Sequence, residues 1–285
     1  MFRRLSNNLP QDANYPSDLR QLGLFINSAH QLKHSDYPED AYRFSVTTND
    51  RYNDVREEAV NICIRDELVT RLSSLGIKRL WLPALTNEIP SASTRPTMPI
   101  LATELKALQK AERVVVVVSS LMQDLGVWDW KSTRGEAGIE AGTVISFVKD
   151  LLSRAFARKG DDVNGVEQSL DGLAAGSTAF VMPNPGQLLY SYRHKRAMTL
   201  DSWNALPRPS ALHMPPLIDE QMNRVAGSET AEKHLKYVFD NILANEAFIA
   251  RKAEVFLVGL NEGADQLLTL LEESCKSSLL LCWPN

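Results

Sequence analysis

Apolar residues along this chain alternate between helical spacing and short continuous runs. In NDVREEAVNICIRDELVTRLSSLG, Val60, Ile64, Leu68, Leu72 and Leu75 recur at three- and four-residue intervals. That spacing predicts a long amphipathic helix, with Gly76 placed to end it. KRLWLPAL follows as a strand and residues 89–99, with their prolines and serines, as a loop. RVVVVVSS, residues 113–120, contains five consecutive valines. β-Branched side chains in such a run suit a strand buried on both faces, as in a parallel sheet covered by helices.

Downstream the alternation continues. A helix is predicted over 139–156, a strand at STAFVMPN and a short extended piece at GQLLYSY. A second long helix, 229–249, is expected to start from a Ser228 cap. A strand at 255–258, a helix at 264–275 and a final strand SSLLLCW complete the series. Residues 1–50, rich in prolines and aromatics, predict an irregular lead-in with one short strand near 42–47; residues 159–176 form a polar excursion. Strands alternating with helices imply one α/β domain over residues 1–285: a three-layer α/β/α sandwich around a mostly parallel central sheet. The apolar end LLLCWPN leaves a sheet edge uncovered, as a truncated domain would.

The chemistry concentrates at VFLVGLNEGAD. Strand, Gly259-Leu260-Asn261-Glu262-Gly263 and helix together form the glycine frame of a nucleophile elbow, G-x-S-x-G, with Asn261 at the serine position. Its place in the order of elements is that of an α/β-hydrolase. A neutral amide is no nucleophile. In that fold the triad histidine follows the elbow, yet His30, His34, His194, His213 and His234 all precede Asn261. A conventional triad is therefore excluded if this sequence is complete, and the chain is expected not to be an enzyme. The alternative is a hydrolase with an unorthodox site built from Gln123, Asp124, His213 and Asn261.

Other groups with chemical potential are Ser119 and Ser120 at the end of the valine strand, and Glu262 beside the elbow. Glu262 is read as a helix-start carboxylate. The loop SSLMQDLGVWDW carries Trp128 and Trp130, read as filling the cleft; the alternative is that they line a pocket or a partner groove. The candidate surface is thus Ser119, Gln123, Asp124, Trp128, His213, Asn261 and Glu262, framed by Gly259 and Gly263.

Composition narrows the remaining classes. Hydrophobic residues make up 44% and charged residues 23%, as in an ordinary globular protein, and the net charge is −4. That balance argues against broad phosphate-backbone binding. Arg193-His194-Lys195-Arg196 is the only basic run of note and is read as a solvated loop. Gly135, Gly138 and Gly142 match neither a Rossmann nor a Walker spacing, and no histidine or carboxylate cluster has metal-ligand spacing, so no cofactor or metal is expected. Cys63, Cys275 and Cys282 are too scattered for a disulfide scaffold and are read as reduced thiols, Cys63 and Cys282 buried. With no signal-peptide pattern and no long apolar stretch, a nuclear or cytoplasmic, non-secreted protein without a membrane span is expected.

Several phrases carry a family resemblance: FRRLSNNLPQDANYPSDLRQLGLFIN, REEAVNICIRDELVTRLSSLG, RVVVVVSSLMQDLGVW, GTVISFVKDLL, PGQLLYS, SWNALPRPSALH and LKYVFDNIL. In this order they resemble a fungal domain of the argonaute-binding-protein-two family, over residues 2 to about 275. The resemblance implies a degenerate α/β-hydrolase with a scaffold or adaptor role. Members are associated with an argonaute chaperone complex in small-RNA-directed heterochromatin formation. A similar domain ends a class of fungal histone deacetylases, as a dimerisation and histone-binding module. The implied partners are argonaute or chromatin proteins, or a second copy of the chain. Direct RNA binding, suggested only by that association, is expected to be weak and salt-dependent. This sequence departs from the family at Asn261, where some relatives keep serine, and at Gly263-Ala264, where a glycine pair is usual. Both departures weaken any hydrolase activity carried over and leave the scaffold role untouched.

Overall fold

A computed structural model of the chain describes residues 9–88, 95–157 and 178–276; the excursion at 159–176 and the strand SSLLLCW fall outside them. The lead-in is largely irregular and holds a small antiparallel hairpin, β1 (Leu24–Ile26) and β2 (Leu32–His34). Residues 42–47 do not form the expected strand. The backbone N–H groups of Val46 and Thr47 donate to the Asn53 side chain, whose amide donates back to the Thr47 carbonyl. Local side-chain bonding has replaced a sheet partner.

The first helical pattern becomes α1 (Asp50–Ser74), with Val60, Ile64, Leu68 and Leu72 all buried. Four residues apart, they form one stripe, and each contributes about 1.5–3 kcal/mol relative to exposure to water. Gly76, at φ 78°, takes the left-handed position past the helix end. β3 (Ile77–Leu82) pairs antiparallel with β4 (Met98–Thr103), a strand that falls partly in the expected 89–99 loop. Pro99 disguised it. β4 meets its other neighbour only at Leu101 and Ala102, so the proline lies beyond that ladder, and its carbonyl accepts from Asn184 Nδ2 at 2.9 Å.

The short α2 (Leu105–Leu108) leads into the valine strand β5 (Arg113–Val118). The expected helix at 139–156 is broken into α4 (Gly138–Ala141), preceded by α3 (Trp130–Arg134), and α5 (Val144–Ala157). Thr143 bridges Val127, and Gly142 lies so close to Thr133 that a Cβ there would collide with its backbone. β6 (Thr178–Met182) follows, then the hairpin β7 (Leu189–Ser191) and β8 (Arg196–Met198), then α6 (Leu200–Asn204). The second long helix is shorter than expected: α7 (Ala231–Val238) runs into a π-helical turn, Phe239–Leu243. Its cap is Thr230, which accepts from Lys233 N–H, while Ser228 bonds the ring of His234. β9 (Glu254–Gly259) and α8 (Glu262–Lys276) close the described chain.

Five strands assemble in the order β3-β4-β6-β5-β9. β4 is antiparallel to both neighbours, whereas β6, β5 and β9 run together. The fold is mixed α/β, with a mixed sheet in which four strands run one way and β4 alone is reversed. Val115 and Val117 join Leu101 and Phe180 against α1 and α5. Val114 and Val116 join Ile100 and Val181 against Val238 and Ile242, and Val118 meets Leu235, Leu267 and Leu270. The valine run is covered on both sides, which explains its lack of polar alternation.

Candidate functional site

β5 and β9 are paired in register to Val118 and Gly259, so their ends lie side by side. Leu260 N–H donates to the Val118 carbonyl at 2.9 Å, and the chain then turns sharply. Asn261 sits at the tip with φ 50°, in the left-handed region that asparagine tolerates better than most residues. Gly263 and Ala264 N–H groups return to the carbonyls of Leu260 and Asn261, at 3.0 and 2.9 Å, and start α8. The two glycines are sterically required. A Cβ on Gly259 would strike Ala264, and one on Gly263 would strike the carbonyls of Ser119 and Val118.

A cavity of about 400 Å³ opens beside this turn. Val117, Val127, Trp128, Phe147, Val258 and Leu260 form apolar walls, and Ser119, Ser120 and Asn261 form a polar end. Trp128 meets Phe147 edge-on with ring centres 6.5 Å apart, so it walls the cavity and does not fill it. Ser120 Oγ donates to Glu262 Oε2 at 2.5 Å. That bond, with the backbone N–H of Glu262 itself, holds the carboxyl below the usual range for glutamate, ionised at neutral pH.

The other candidate residues lie apart from this cavity's walls. Asp124 is buried, accepting from Arg65 Nη1 at 2.8 Å and Gln187 Nε2 at 2.5 Å. The side-chain oxygen of Gln123 is buried without a partner among the described residues, and its backbone packs against Gly186. His213 is exposed on its loop, bonded to Ser210 Oγ at 2.7 Å, with Arg208 donating to its carbonyl. Trp130 lies under the Arg134 guanidinium at 5.1 Å and lines a different hollow with Glu57 and Asp201. Neither tryptophan plugs the elbow cleft.

A family model described as the Arb2 domain matches residues 15–278, nearly the whole chain. The chain belongs to the Arb2 domain family. No curated protein and no solved structure matches it.

Two features of this Arb2 domain escaped the sequence. The first is His234, whose ring is wholly buried; Nε2 accepts from Asn184 N–H at 2.8 Å and Nδ1 contacts Ser228 Oγ at 3.0 Å. Burial drives its pKa down to about 3, so the ring is neutral and structural. The second is a buried ionic hub in which Arg65 bridges Asp124 and Glu58, and Glu58 also binds Arg196 and Ser202. Arg196, the last member of the basic run, is therefore an ion-pair partner, while Arg193, His194 and Lys195 are exposed in the hairpin turn. Cys63 is half-buried, and burial raises its thiol pKa. Among the described residues no helix is long and apolar enough to cross a membrane, and no group of histidine, cysteine and carboxylate side chains could hold a metal.

Proposed function

We propose that this Arb2 domain is a non-catalytic, α/β-hydrolase-like interaction module acting as a scaffold or adaptor. The setting it fits is small-RNA-directed heterochromatin formation or histone-deacetylase-linked silencing in the nucleus, with argonaute or chromatin proteins as partners. The carrying observation is the elbow itself: Asn261 stands at its tip, and the Glu262 carboxylate beside it is bonded to Ser120. A negative charge at that point opposes the oxyanion of acyl transfer. Among the described residues no histidine lines the cavity.

The hydrolase-like, three-layer reading draws support from strand order. Counted within the sheet, the strands run first, second, fourth, third, fifth, with the second alone reversed and the elbow after the fifth. The unorthodox-hydrolase reading draws none, because Asp124 is held by Arg65 and Gln187 and His213 by its own loop. The adaptor role is tested by affinity capture of the tagged chain from its native host, with nuclease treatment and a salt wash. Retention of an argonaute protein or a histone deacetylase supports it; capture of neither overturns it.

A further inference from the structure

The elbow cavity has the size and lining of a small-molecule site, at the lower end of the usual range of about 300–1,000 Å³. Its apolar walls call for an aliphatic or aryl tail. Its polar end is more specific. Ser119, only 3% exposed, and Asn261, exposed at the tip of the turn, both line the cavity. Together these groups offer two neutral donors and two acceptors.

Charge decides the class of head group. Among the described residues no cation lines the cavity, and the Glu262 carboxylate lies at its edge, bonded to Ser120. Carboxylates and phosphates are therefore repelled, although a helix begins here, because Glu262 already complements the positive end of α8. We infer that the elbow cavity binds a small neutral acyl compound, with its amide or ester head between Ser119 and Asn261 and its tail among Trp128, Phe147 and Val258. This inference rests on the non-catalytic reading of the elbow: the geometry of acyl binding is kept and cleavage is absent.

The test is calorimetric titration of the whole chain with octanamide and octanoate at pH 7.5, with mass-spectrometric analysis for released octanoic acid. Octanamide is expected to bind at least about tenfold more tightly than octanoate. Ser119→Ala, with folding checked by circular dichroism, should weaken octanamide about fivefold, as loss of one hydrogen bond does. The exposed Glu262→Gln should narrow the gap by improving octanoate binding. Absence of octanamide binding, a preference for octanoate, or indifference to Ser119→Ala overturns the site. Failure by absent binding with no acid released leaves the non-catalytic reading standing. Binding followed by acid release keeps the site and overturns that reading.

Discussion

Replacing His234 with glutamine should change how the stability of this domain depends on pH. The ring is wholly buried, and Nε2 accepts from Asn184 N–H at 2.8 Å. Protonation would set two donors against each other in a site without water contact, and burial holds the folded pKa down to about 3 against an ordinary value of 6.5. Below pH 6.5 the unfolded chain takes up a proton that the folded chain refuses. The folded pKa is depressed, so the stabilisation is complete above 6.5 and is lost as pH falls towards 3. The slope approaches about 1.4 kcal/mol per pH unit, on the order of 2–3 kcal/mol between pH 6.5 and 4.5. Glutamine keeps an acceptor for the Asn184 N–H and cannot titrate. Urea unfolding followed by circular dichroism, from pH 7.5 to 4.5, should show wild type falling more steeply than His234→Gln. Carboxylates and the other histidines are common to both proteins and cancel in the difference. Parallel curves over that interval would refute the buried neutral ring.

Gly263→Ala should destabilise the domain by about 1–3 kcal/mol in urea unfolding, because the new methyl meets the backbone carbonyls of Ser119 and Val118, which cannot yield as a side chain would. Arg65→Met should cost about 3–5 kcal/mol, since it strands Asp124 and Glu58 as buried carboxylates with reduced compensation. The double variant Arg65→Met/Asp124→Leu should recover part of that loss; a double variant worse than the sum of the singles would contradict the proposed pairing.

Elements whose pattern is purely local were legible from the residues. The four-residue stripe of α1, the valine run of β5 and the strand–glycine–helix passage at β9 and α8 each carry their own signal. Errors arose where a distant or polar contact overrode that signal. Pro99 argued for a loop, but β6 stops short of it and Asn184 meets its carbonyl. Residues 42–47 had strand-like composition, but Asn53 took their backbone groups. Ser228 looked like a helix cap and serves His234 instead. At the site, the glycine frame was visible because steric demand is local. The Ser120–Glu262 bond joins residues 142 apart in the chain, and the Asp124–Arg65 pair residues 59 apart, so spacing carried no trace of either. His213 was a candidate only because it was a loop histidine, and its loop keeps it bonded to Ser210.

We propose that the elbow of this Arb2 domain performs no acyl transfer. The most direct measurement is multiple turnover of short- and medium-chain esters by the purified chain, with Asn261→Ala assayed beside it and products quantified by mass spectrometry. The expected result is the buffer rate for both proteins. Turnover by the wild type that disappears in Asn261→Ala would contradict the account.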